Sequence, residues 1–473
     1  MKTTLTRTLL PPFVLPGAVG CYFLLGLGAN SVLALGAMVV LVAGCALLWR
    51  PGDAPILIFV FAVLWLQAAL GIFQANLKGL SVDEFSYQLD VPGNTQLATT
   101  LSLIGLIFLA IGMRLGAGPQ RLGDSELALN VVWRQPPIVW FKLWAVAWVV
   151  ATAAQSLALA MPGLSQLLLA LANLKWAFFL ILTYATFVRS DANKMLWLAA
   201  FGLEFIAALG GYFSEFKTVF LFAFIGVVAS GVRLKPKQIV AVAAVGVVAL
   251  LLGVVWTAVK VEYRSYLSGG ERAQIVTVGY VESLQKLIDI TSNLTSDDLA
   301  DGADRLASRI AGTGYFGAAL DYVPGIVPHE NGALWLDAIT RPFMPRLFFP
   351  DKAIIDESAI TNKYTGIGVA GMEEGTQIAL GYMAESYVDF GQIGMMVPIF
   401  LLGLFLGFSY RWVTSHKNAR GLLGMGLASA VLITADALGA STAKLVGALI
   451  VQLLVVWLLL QFVVPRYLRW LRA

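Results

Sequence analysis

The chain has 473 residues, of which 59% are hydrophobic and only 13% charged, with a formal net charge of +4. Soluble domains carry about 25% charged residues, so an ordinary water-soluble enzyme is excluded. Two cysteines, Cys21 and Cys45, both in apolar stretches, exclude a disulfide framework and a zinc cluster.

Apolar windows of the length needed to cross a ~30 Å hydrocarbon core fall at residues 11–30, 31–49, 54–73, 96–114, 138–160, 165–187, 194–212, 216–232 and 238–259. Three more follow at 391–410, 420–438 and 443–464. The expectation is an all-α polytopic membrane protein of about twelve transmembrane helices. The first window has a basic flank (Lys2, Arg7) but no small-residue cleavage site, and reads as a retained helix. With that end in the cytoplasm, eighteen Lys and Arg fall in cytoplasmic connections and tails and three (Lys78, Lys217, Lys444) in short outer ones. The positive-inside rule then puts both termini in the cytoplasm. Residues 1–259 hold the first nine spans, 260–390 form one large external segment, and 391–473 hold the last three spans and a basic tail.

Inside the spans, Lys175 and Glu204 fall at similar depth on neighbouring antiparallel helices. They read as a buried ion pair that fixes register or as a relay. Asp436 and Lys444 flank the last outer turn and are expected to pair there. Glu215 and Lys217 lie in a short outer turn, where Lys217 sets a cation near lipid headgroups.

The segment 260–390 carries ten basic and eighteen acidic residues. Helical spacing of apolar positions predicts helices over 272–292, 298–311 and 376–390. The Pro- and aromatic-rich stretch 321–352 predicts irregular chain with one short helix. Arg264, Arg305, Arg309, Arg341, Arg346 and Lys352 are cations in an otherwise acidic segment. They read as surface ion pairs or as a diphosphate site, for which Arg offers a planar fork of donors. Tyr382, Glu385 and Asp389 fall at i, i+3 and i+7, so one helix face carries a phenol and two carboxylates. A carboxylate in a partly apolar site is a natural general base; the same face would also suit a solvated helix. His329 and His416 stand alone, and no metal-ligating or nucleotide-binding motif is present. Neither a metal nor a cofactor is expected.

At RPFMPRLFFPDKAI and GYMAESYVDFGQIG the chain resembles the oligosaccharide repeat unit polymerases, the Wzy-type O-antigen and exopolysaccharide polymerases. Pro345, Arg346, Pro350, Asp351 and Lys352 match the first element of that family. Gly381, Tyr382, Glu385, Tyr387, Phe390 and Gly391 match the second. The resemblance implies a glycosyltransferase of the bacterial inner membrane, similar to the GT-C-like enzymes that use lipid-linked donors. Its substrates would be oligosaccharides on undecaprenyl diphosphate, joined at the periplasmic face in contact with membrane lipid. Flippase and chain-length regulator proteins would be partners, and nucleic acid would not. On that reading Glu385, Asp389, Arg346 and Arg264 are the catalytic candidates. Lys217, Arg309, Arg341, Lys352, Tyr382 and Tyr387 are candidates for diphosphate or sugar binding. An O-antigen ligase or other lipid-linked sugar transferase is the alternative within this class. A polysaccharide transporter or flippase is the alternative outside it, because twelve spans also suit a transporter.

Overall fold

The computed structural model describes residues 11, 13–51, 55–119, 123–189, 191–209, 216–232, 236–270, 277–344, 348–349, 351–374 and 376–466. The described residues form helices and turns, with no strand among them. The first part of the chain gives α1 (Val14–Cys21), α2 (Ser31–Leu48), α3 (Ile56–Leu77), α4 (Val82–Gln88), α5 (Thr95–Ala117), α6 (Gly123–Arg134) and α7 (Pro137–Ala160). Then come α8 (Ser165–Asn173), α9 (Lys175–Val188), α10 (Lys194–Leu209), α11 (Phe216–Ala229) and α12 (Pro236–Leu267). The large segment contains α13 (Tyr280–Ser292), α14 (Ser296–Ile310), α15 (Gly314–Tyr322), α16 (Ala333–Thr340) and α17 (Glu357–Thr365). Last are α18 (Tyr382–Gly394), α19 (Met396–Ser415), α20 (Leu422–Leu432) and α21 (Thr442–Leu458).

Eight helical stretches among the described residues are long and apolar enough to cross a membrane, with α8 and α9 counting as one stretch, Ser165–Val188. Expected spans one, eight and eleven are the shorter apolar helices Val14–Gly26, Phe216–Ala229 and Leu422–Ala435. Expected span seven is α10, of 16 residues. The chain is thus an all-helical protein of membrane-spanning character. Large apolar side chains exposed on these helices, such as Val32, Val146, Val149 and Leu250, suit a surface whose solvent is lipid rather than water.

The closest packing joins α5 and α19. Gly112 and Gly116 of α5 meet Gly403 and Gly407 of α19, and both series advance together, so the helices run parallel. A Cβ on Gly112 would lie 2.3 Å from the Phe400 carbonyl oxygen, and one on Gly403 2.2 Å from that of Leu109. Backbones this close need glycine, and in lipid such small-xxx-small faces supply the packing that water-driven burial cannot.

In the membrane-spanning region, Lys175 Nζ meets Glu204 Oε2 at 2.6 Å, and Trp144 Nε1 donates to Glu204 Oε1 at 3.0 Å. The pair expected from the sequence is therefore present, and an indole N–H serves its second carboxylate oxygen.

α12 continues beyond the expected end of span nine to Leu267. α13 and α14 pack against it, and Gly302 lies against Val254 and Ala258. α14 begins with a reciprocal cap, Thr295 with Asp298, which satisfies two end N–H groups of an otherwise polar helix. α15 and α17 were not foreseen. The expected helix over 376–390 begins only at Tyr382, because Gly381 has φ +95, a conformation L-residues with a Cβ rarely adopt. α18 bends at Gly391 (φ +71) and passes into α19.

Candidate active site

A cavity of about 230 Å³ lies where α16, the start of α17, α18 and the start of α21 meet. Its lining includes Asp337, Arg341, Asp356, Glu385 and Ser441, with apolar walls from Leu334, Ile354, Ile355 and Ile360. Two residues expected from the sequence, Glu385 and Arg341, are thereby brought to one space from positions 44 residues apart in the chain.

Glu385 sits in the first turn of α18 and is 4% exposed. The backbone N–H of Thr442 donates to its Oε2 at 2.8 Å. Among the described residues no cation lies within ion-pair distance of it. Burial pushes its carboxyl up to about 7; the Thr442 hydrogen bonding opposes this and the nearby carboxylates Glu357 and Asp389 add to it. Desolvation is the dominant cause.

Arg341 is gripped by Asp337, Nε to Oδ2 at 2.8 Å and Nη2 to Oδ1 at 3.1 Å, and Nη1 donates to the Ala353 carbonyl at 3.0 Å. These bonds use three of the five guanidinium N–H groups. Lys352 donates from Nζ to the Arg341 carbonyl at 2.6 Å, so it holds the turn that carries Arg341.

Behind Glu385, Ser441 caps α21 by accepting from the Lys444 N–H, and its hydroxyl donates to Glu357 Oε1. Lys444 Nζ meets Glu357 Oε2 at 2.5 Å and Gln377 Oε1 at 3.0 Å. The expected pairing of Lys444 with Asp436 is thus corrected: Glu357, from α17, takes the lysine. Asp436 instead has the Lys217 ammonium as its interacting cation. Gln67 fixes this turn by donating to the Asp436 carbonyl and accepting from the Leu438 N–H. Lys217 therefore adjoins the turn that ends at Ser441, and is not among the residues lining the cavity.

Asp389 has a different task from the expected one. Its two oxygens accept from the N–H groups of Leu334 and Trp335 at 3.2 and 2.9 Å, so it caps the start of α16. A carboxylate bound in this way is committed to positioning α16, which carries Asp337 and leads into Arg341. Tyr387 is likewise buried and donates its hydroxyl to the Val323 carbonyl. Tyr382 is 1% exposed, its hydroxyl has no hydrogen-bond partner among the described residues, and its backbone N–H donates to the Ala440 carbonyl at 2.8 Å. Both tyrosines, candidates for diphosphate or sugar binding, are packed in the interior and are not among the residues lining the cavity. His329 is similarly structural, with Nδ1 3.1 Å from the Val388 carbonyl.

Arg264 lies in the last turn of α12, the helix against which α13 and α14 pack, and is not among the cavity residues. Arg346 and the side chain of Arg309 lie outside the described residues. Sequence reasoning missed Asp337, Ser441 and Glu357. The i,i+4 spacing of Asp337 and Arg341 was a usable signal; nothing local marks Glu357 as the partner of a side chain 87 residues away.

No curated protein and no solved structure matches the chain. One family model does, described as "Domain of unknown function (DUF8712)", over residues 138–420. That match runs from α7 through α19, so it contains Arg341 and Glu385 and stops before Ser441 and α21. Covering more than half of the chain, it places this protein in the DUF8712 family.

Proposed function

We propose that the chain is a glycosyltransferase of the bacterial inner membrane that polymerises undecaprenyl-diphosphate-linked oligosaccharides into O-antigen or exopolysaccharide. In this reading there are twelve spans, both termini are cytoplasmic and the large segment is periplasmic. The observation that carries it is Glu385: a buried carboxylate with no counter-ion among the described residues, open to a cavity that also holds an arginine using three of its five N–H groups. The resemblance of the Arg346–Lys352 and Gly381–Gly391 elements to repeat unit polymerases supports the same reading.

The chemistry follows from these groups. The acceptor sugar hydroxyl gives its proton to Glu385, and its oxygen forms a bond to the anomeric carbon of the donor. The bond from that carbon to the diphosphate oxygen breaks, and the electron pair leaves with the diphosphate. Charge developing there is stabilised by preorganised N–H donors of Arg341, with Lys352 holding the turn and Arg346 the further candidate. Asp389 positions α16 and needs no direct part. A transporter would place its polar site near the bilayer midplane. The Lys175–Glu204 pair lies on spanning helices but is closed by Trp144, so it favours the transferase over the transporter.

The test is incubation of the purified chain in nanodiscs with defined lipid-linked repeat units. A ladder of products whose spacing is one unit is expected, and it should vanish in Arg341→Gln. Transfer of a single unit to lipid A core without a ladder would replace polymerisation by ligation, and no transfer of any kind would overturn the reading.

A further inference from the structure

α16 and the single helical turn Arg341–Phe343 present three different faces. Trp335 and Ala338 point into the core at 8% and 0% exposure. Asp337 and Arg341 line the cavity. Leu336, Ile339 and Phe343, at i, i+3 and i+7, form a third face that is 63%, 49% and 70% exposed. Three large apolar side chains on one exposed face of so short a stretch need a solvent that is not water.

The depth of this stretch follows from its neighbour. α16 and the Arg341–Phe343 turn pack along α21, and Pro342 Cγ lies 4.0 Å from where a Cβ on Gly447 would be. At the other end of that helix, Asn418 Nδ2 donates to the Leu460 carbonyl at 2.9 Å, which sets the polar turn His416–Arg420 level with Leu460. From Leu460 to Gly447 is about 20 Å of helix at ~1.5 Å per residue. A hydrocarbon core is ~30 Å thick. With the near boundary between Leu460 and Val464, Pro342 stands about 5–10 Å short of the far boundary, at the level of acyl chains. Backbone that leaves regular helix at this depth must be satisfied within the protein. The carbonyls of Arg341 and Ala353 accept from the side chains of Lys352 and Arg341, which meets that demand.

We infer that residues 333–344 form a re-entrant element set into the leaflet on the side of the large segment, with Leu336, Ile339 and Phe343 against lipid acyl chains. The cavity at Asp337 and Arg341 then lies below headgroup level, on the inner side of this element. The inference requires a membrane-spanning chain and is independent of the transferase reading.

Cysteine labelling tests it. In the full chain carrying Cys21→Ala and Cys45→Ala, a small fluorophore is attached at Phe343→Cys, at Leu336→Cys or, as a water-exposed reference on α14, at Asp297→Cys. The labelled proteins are placed in nanodiscs, with nitroxide on the lipid acyl chains or iodide in the buffer as quenchers. Chain nitroxide should quench the labels at 343 and 336 several-fold more than the label at 297, and iodide should show the reverse order. Equal iodide quenching at all three sites would overturn the inference. So would protection of 343 and 336 from both quenchers, since a protein surface would then be the occupant. Either of the two positions suffices if the other variant does not fold.

Discussion

Two buried glutamates divide this molecule. Glu204, among the spanning helices, has a lysine 2.6 Å away and a tryptophan N–H on its other oxygen. Glu385 has one backbone N–H and an open cavity. The first has its charge and its geometry closed by neighbours, so it contributes register between α9 and α10. The second keeps a site at which a proton can come and go. Burial alone is therefore a poor guide to chemistry, and the inventory of partners decides between a strut and a base.

The largest effect expected from this contrast is on turnover. Glu385→Gln keeps the shape and removes the proposed base, and on that proposal should lower the rate of lipid-linked sugar transfer about 10²- to 10⁴-fold, with donor binding little changed. A Glu385→Gln protein that turns over normally would erase the distinction. Glu204→Leu strands the lysine and should cost about 3–5 kcal/mol of stability, read by denaturant unfolding in detergent. Lys175→Leu with Glu204→Leu should recover most of that loss, and activity per folded molecule should be unchanged in the double variant. A selective loss of activity there would make the pair a relay.

The next prediction concerns pH. Glu385 must be ionised to accept a proton, so the rate should rise as pH passes through about 7, and the Gln variant should lack that rise. The stability sign is the opposite. A carboxyl whose folded value is raised holds more protons folded than unfolded between about 4.5 and 7. Stability should therefore fall as pH rises through that window and level off above it, and Glu385→Gln should flatten the curve. The smallest effect belongs to Asp389. Asp389→Ala removes a helix cap, worth about 1 kcal/mol, and should reduce turnover only through looser placement of Arg341. A loss as large as that of Glu385→Gln would return Asp389 to direct catalysis.

Much of the architecture was legible because a bilayer imposes one dominant rule, a long apolar run for each span. Each expected window holds a helix, and the intramembrane pair could be read from depth alone. What was hidden depends on contacts between distant segments. Lys444 has a near neighbour of opposite charge in Asp436, yet it pairs with Glu357, because α17 is folded onto the start of α21. Asp389 shares a helix face with Glu385 by periodicity, yet the start of α16 consumes both of its oxygens. The glycines at 112, 116, 403 and 407 carried a readable spacing that composition-based windows pass over.

Those four glycines have a consequence for how Glu385 is held. α19 continues from α18, so the height of Glu385 relative to Thr442 depends on where α19 stands along α5. With carbonyl oxygens nested in the hollows left by missing side chains, axial sliding meets a ratchet of backbone against backbone rather than a smooth surface. A slip of one turn would move the carboxylate about 5.4 Å, well beyond reach of its N–H partner. The alignment of the carboxylate is thus set by a glycine seam that extends below it along two spanning helices, and a bulky residue in that seam would misplace the carboxylate without touching the cavity.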